Sequence, residues 1–198
     1  MSTETLHYGR VTWTNIIQPT DEDMQALSQR YPNFHPLHLH DCLTELEFPK
    51  LDATDGYIFL VAQLPRWDGD ERICYPSEID IFVAKGVMVT IHEGNIKPLN
   101  RLFTGAQTDT AERKRLLGSG ASPLLYEVIK TLIDYCDPIL HKVNQQIRHI
   151  ELSLFKAETE HILYEMAVAR RGVIAIRHIL RPQLDVLREL EKGDWTFI

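Results

Sequence analysis

From Leu125 onward, apolar residues recur at intervals of mostly three and four, and this pattern limits the possible folds more than any other feature. The series runs Leu125, Ile129, Leu132, Cys136, Ile139, Val143, Ile147, Ile150, Leu154, then resumes as Ile162, Met166, Ala169, Val173, Ile176, Leu180, Leu184, Leu187. That spacing places one long apolar stripe along an α-helix, and a stripe of this length has to be covered by another element. The break "KAETE" at 156–160, with Thr159 as its cap, is short, so the two helices must run antiparallel, each covering the other's seam. Ser122 caps the first helix ahead of Pro123. Gly172 and Pro182 interrupt the second, where Pro182 removes one backbone bond and should kink the chain.

Upstream of the stripe the period changes. "HYGRVTWTNII" (7–17) is rich in β-branched and aromatic residues and predicts a first strand. Thr20 with Asp23 forms a capping box for a helix running to about Arg30, and Pro36 suits the first position of a second helix over 36–47. "YIFLVAQL" (57–64), "SEIDIFVA" (77–84) and "VMVTIHE" (87–93) predict three more strands, the last two joined by the tight Lys85-Gly86 link as antiparallel neighbours. The run Ile58–Ala62 lacks polar alternation, which implies a sheet covered on both faces. Short helices follow near 97–103 and 108–117. The expected fold class is thus α/β (α+β): a mixed β-sheet sandwiched between helical layers over 1–120, then a long antiparallel helical hairpin over 121–192, with 193–198 leading out.

Charge and cysteine content narrow the function. A net charge of −7 argues against nucleic acid, whose binders need excess Lys and Arg to displace phosphate counterions, and Arg113-Lys114-Arg115 beside Glu112 is a solvated helix face. Cys42, Cys74 and Cys136 are widely spaced, which suits free thiols in a reducing compartment. The longest uncharged run, Tyr57 to Pro65, is far shorter than the roughly 18 residues of a membrane span. No GxSxG, Walker loop, GxGxxG, HExxH or CxxC occurs, so the chain does not read as an enzyme.

The densest chemistry lies in "YPNFHPLHLHDCL" (31–43). On a helix turning about 100° per residue, Leu39, Leu43 and Leu46 form the buried arc with Cys42 at its border. His38, Asp41 and Glu45 share another arc, and Asp41 points away from the leucines. His40 is rotated away from Asp41 and His35 sits at the cap, so the histidines do not make a ready zinc site. An exposed carboxylate on a rigid helix is a ligand for a hard cation if another surface, such as a neighbouring subunit, supplies further oxygens.

"HPLHLHDCL" (35–43) followed by "FPKLDATDGYIFLVAQLP" (48–65) resembles a signature of the CorA family of divalent-cation transporters. "WTNI" (13–16), "SPLLYEVIKTLIDYCDPIL" (122–140) and "IRHILRPQLDVLREL" (176–190) are similar to the family's early strand and its two long helices, in the same order. The resemblance implies a regulatory, ion-sensing domain at the cytoplasmic face of the cell membrane. It also implies a homo-oligomer, a pentamer in the full-length protein, reaching the membrane through a stalk and pore segments that do not occur in these 198 residues; 193–198 would be the start of that stalk. Asp41 falls on the family's regulatory acid, which binds Mg²⁺ between subunits and gates the pore, with His38, His40 and Glu45 as helpers. Two departures stand out. The family's preceding acid is His40 here, and an acid on the first long helix is Lys130. Fewer oxygen ligands and more imidazole leave Co²⁺ or Zn²⁺ as alternatives, the latter implying a ZntB-type relative. A soluble metal-sensing or interaction protein that uses the helical seam is the other reading.

Overall fold

The computed structural model describes residues 2–44, 46–154, 159–193 and 195. Six strands, β1 (Ser2–Tyr8), β2 (Val11–Ile17), β3 (Lys50–Ala53), β4 (Tyr57–Asp68), β5 (Ile73–Ala84) and β6 (Val87–His92), form one sheet in the order β1-β2-β6-β5-β4-β3. Every neighbouring pair is antiparallel except β2 and β6, so the sheet is mixed, as the sequence implied. The single strand predicted for 7–17 is instead a hairpin. Gly9, at φ 58°, turns the chain back so that Tyr8 pairs with Val11. β4 and β5 extend well past their apolar runs to Asp68 and Ile73, because paired strands continue as long as a partner is present. Strand β3, four residues long, lies outside the runs that predict strands.

Helices cover both faces. On one, Ile16, Tyr57, Phe59, Val61, Phe82, Val89 and Ile91 meet Met24 and Leu27 of α1 (Asp21–Arg30), Leu39 of α2 (Pro36–Asp41), and Phe34 and Cys42, which flank α2. Aromatic rings fill this layer: Phe34 stacks on Phe82 at 4.5 Å, and Phe82 lies 4.6 Å from Phe59. The residues alternating with these, among them Trp13, Ile58, Leu60, Ile79, Ile81, Val83 and Met88, meet α3 (Lys97–Thr108), α4 (Thr110–Leu117), α5 (Ala121–Asp134) and the end of α7 (Thr159–Lys192).

The first predicted long helix is two, α5 and α6 (Cys136–Ser153), meeting at Tyr135. Pro138 is the cause: it offers no N–H to the Asp134 carbonyl and its ring crowds that oxygen. Gly120 and not Ser122 occupies the N-cap of α5, without a side-chain cap bond. α7 runs unbroken through Gly172 and Pro182, held by its packing on β3, β4 and β5. The predicted break at 156–160 falls largely outside the described residues. α6 and α7 pack together through Ile139, Val143, Ile176 and Ile179, joined by Cys74 from the far end of β5. Arg72, in the turn before β5, grips Glu165 of α7 with two parallel bonds of 2.8 Å. The seam is only partly covered, however: Ile147, Leu154, Met166, Val173 and Leu184 remain between 37% and 50% exposed.

Candidate cation site at the end of helix α2

Helix α2 is built by its ends. His35 caps it, accepting from the Leu37 N–H at 3.2 Å through Nδ1, and Pro36 occupies the first turn where no N–H is needed. Leu39 and Cys42 anchor it on the aromatic layer. The predicted helix over 36–47 ends at Asp41 because the next bonds tighten: Leu43 N–H reaches the His40 carbonyl at 2.9 Å, and the Thr44 hydroxyl caps the Asp41 carbonyl at 2.8 Å. Leu46, at φ 44°, then turns the chain toward β3. Glu45 lies outside the described residues.

That reversal brings Lys50, the first residue of β3, alongside Asp41. Its Nζ donates to Asp41 Oδ2 at 2.6 Å, with side-chain exposures of 33% for Lys50 and 18% for Asp41. Asp41 is therefore not the outward-pointing carboxylate that an extended helix gives; it lies at the rim, held by a cation of its own chain. Burial works against the Lys50 ammonium, but the bond to Asp41 and the nearby Asp52 and Glu47 outweigh it and raise its pKa. A pair this accessible contributes roughly 0.5–1 kcal/mol.

His38 faces inward. Its ring stacks on Phe59 at 4.6 Å, Nδ1 meets Tyr57 Oη at 2.8 Å, and Nε2 lies 3.4 Å from Asp52. Tyr57 Oη also accepts the His35 N–H at 2.8 Å, and the Asp52 carboxylate facing Nε2 favours the tautomer with its proton there, in which Nδ1 accepts from the Tyr57 hydroxyl. Burial lowers the pKa of His38, with Asp52 opposing, which keeps the ring neutral. Nδ1 is thus engaged by a hydrogen bond, while Nε2 makes only the 3.4 Å contact with Asp52. His40 is exposed on the same turn, and Lys130 lies on α5, 3.7 Å from Asp134. No three His, Cys, Asp or Glu side chains converge to hold a metal among the described residues.

Two acids the sequence reading passed over lie beneath this turn. Glu78 and Asp80 of β5 point to the same sheet face as Phe82, under Cys42 and Thr44. Asp80 is 4% exposed. Burial is the first cause raising both carboxyls, Glu78 to about 7, and their mutual repulsion raises Asp80 further. The strand alternation in "SEIDIF" looks solvent-facing in sequence; the missing signal was that this face is roofed by α2.

Comparison with known proteins follows the same lines. The profile of the family described as "CorA-like Mg2+ transporter protein" matches residues 8–196. The YfjQ protein of Bacillus subtilis is 27% identical over 179 residues, covering 88% of this chain and 52% of YfjQ. The cobalt/magnesium transport protein CorA of Thermotoga maritima is 22% identical over 181 residues, covering 90% of this chain and 50% of its own length. The chain thus spans about half the length of these relatives. The soluble domain of CorA from Methanocaldococcus jannaschii shares the fold with a TM-score of 0.75 at 20% identity, over 93% of this chain and 71% of that one.

Proposed function

The chain belongs to the CorA-like Mg²⁺ transporter family, and from that premise we propose that it is the extramembrane, ion-sensing domain of a divalent-cation transporter. The observation that carries this reading is the span of the family match, 8–196, which takes in the sheet from β2 onward, the α2 turn and the helical pair together. No helix among the described residues is long and apolar enough to cross a membrane, so the pore is assigned to other segments of the protein. The domain works at the cytoplasmic face of the membrane within a homo-oligomer, a pentamer, and its role is control of transport and not catalysis. The apolar surface left open on α6 and α7 supports assembly with further helices.

Control follows from linkage. A cation that bridges two subunits binds the closed assembly better than the separated one, so it favours closure by its differential affinity. Asp41 is the bridging ligand in this proposal, with His40 as a helper and Glu45, which lies outside the described residues, as another. His38, engaged by Tyr57 and Asp52, holds the turn in place. Asp41 offers a single carboxylate, so an ion that bridges subunits takes its further protein oxygens from a neighbour. Mg²⁺ and Co²⁺ are the cargo favoured by an oxygen-led site. The engagement of His38 Nδ1 by Tyr57 weighs against Zn²⁺.

Two experiments test this. Expressing the complete gene in cells starved of divalent cations should restore Mg²⁺ or Co²⁺ uptake; failure to take up any divalent cation removes the transport role. Sedimentation of this chain during Mg²⁺, Co²⁺ and Zn²⁺ titration should show ion-dependent association that Asp41→Ala abolishes, and equal responses discard Asp41.

A further inference from the structure

Beneath the α2–β3 connection lies a pocket of about 440 Å³ lined by Cys42, Thr44, Ser77, Glu78, Asp80 and Asn95, among others. Glu78 Oε2 and Asp80 Oδ1 are buried there without a hydrogen-bond partner among the described residues. Buried carboxylate oxygens are costly unless something neutralises them. Their own chain offsets only part of this: the Glu47 backbone N–H favours the Glu78 carboxylate, the Cys42 thiol favours that of Asp80, and the Lys50 ammonium, which acts on both, is committed to Asp41 at 2.6 Å. The remaining charged groups acting on the pair, Asp41 and Glu47, are negative. His92 at the pocket wall is held well below its ordinary pKa by burial, at about 4, and is neutral.

We propose that Glu78 and Asp80 bind a partly hydrated divalent cation within one subunit, through Glu78 Oε2 and Asp80 Oδ1. Residues two apart on a strand present their side chains to the same face, so one ion reaches both. Two carboxylates and several retained waters are the ordinary ligand set of a small hard cation, which needs no third protein acid. The volume suits this: six waters occupy roughly 180 Å³ at about 30 Å³ each, well within the pocket. The nearby thiol does not recruit a softer ion. Cys42 donates its S–H to the His38 carbonyl at 3.1 Å, and burial pushes its pKa up, so no thiolate is offered. This site uses different ligands from the shared one at Asp41, whose charge acts on the pair without coordinating its ion.

Calorimetric titration of this chain with MgCl₂ and with MnCl₂ at pH 8 is the test, using wild type, Glu78→Gln, Asp80→Asn and Asp41→Ala. Asp41→Ala, which lacks the shared site, should still bind one ion per chain, and Glu78→Gln and Asp80→Asn should each weaken that binding at least tenfold; in wild type this binding adds to the ion-dependent association assigned to Asp41. Both amide variants keep the side-chain volume and remove repulsion, and a melting temperature at or above wild type in EDTA confirms that they are folded. In parallel, 5 mM MgCl₂ should raise the wild-type melting temperature and leave that of Glu78→Gln unmoved. No binding by wild type shows the pair to be held by protons alone and overturns the site. Loss in Asp41→Ala with retention in Glu78→Gln overturns it too, while leaving the Asp41 reading intact.

Discussion

Replacing Lys50 by Gln should make the α2 turn a better cation site while slightly weakening the fold. Lys50 Nζ lies 2.6 Å from Asp41 Oδ2, so any ion that takes this carboxylate first displaces the ammonium. Coulomb's law at that separation gives roughly 2 to 6 kcal/mol for effective dielectric constants of about 80 to 20. Exposures of 33% and 18% mean that solvent, salt and the cost of holding a lysine still cancel most of it. Accessible pairs of this kind retain about 0.5–1 kcal/mol. Removing the competitor returns that amount to ion binding, which is a two- to fivefold lower midpoint at about 1.4 kcal/mol per decade. Stability should fall by no more than about 1 kcal/mol for the same reason. Sedimentation against Mg²⁺ concentration reads the midpoint, and urea unfolding in EDTA reads the stability. A midpoint that stays put or rises refutes the argument that Lys50 competes for Asp41.

Three further outcomes are expected. His92 Nδ1 accepts the Gly94 N–H at 2.9 Å and burial lowers its pKa to about 4, so its contribution is complete above pH 6.5 and is lost as pH falls toward 4. The loss is up to about 3 kcal/mol, and urea midpoints from pH 7 to pH 4 should fall less steeply in His92→Gln than in wild type. Gly86 sits at φ 72° in the β5–β6 turn, where an added Cβ would lie 2.6 Å from the Arg10 carbonyl oxygen; Gly86→Ala should cost roughly 1–3 kcal/mol in the same assay. Burial pushes the Cys74 and Cys136 thiols up to about 11 and raises Cys42 as well, so at pH 8 a thiol-disulfide reagent should label none of the three until urea is added.

How legible the molecule was depended on the range of the interaction. The Thr20–Asp23 capping box, the Pro36 helix start and the Lys85–Gly86 link are local, and each occurs where the sequence predicts it. Pro138 marks the α5–α6 break locally, yet the apolar period runs across it without a fault and predicts one helix. The β1–β2 hairpin was missed because Gly9 sits inside a β-rich run. At the candidate site, a helical wheel over 36–47 needs a helix that long. Thr44 capping Asp41 ends it early, and Asp41 then meets Lys50, nine positions away, instead of open solvent.

By itself the sequence determined where apolar stripes lie and with what period, and hence a covered sheet followed by long antiparallel helices, because periodicity and turn chemistry act over a few residues. It also carried the ordered signature that places the chain in its family. Only the tertiary structure decided which polar groups lose water. Glu78 and Asp80 are ordinary strand acids until α2 and its connection close over them, and the sequence cannot price that burial, because the roof comes from residues more than thirty positions away.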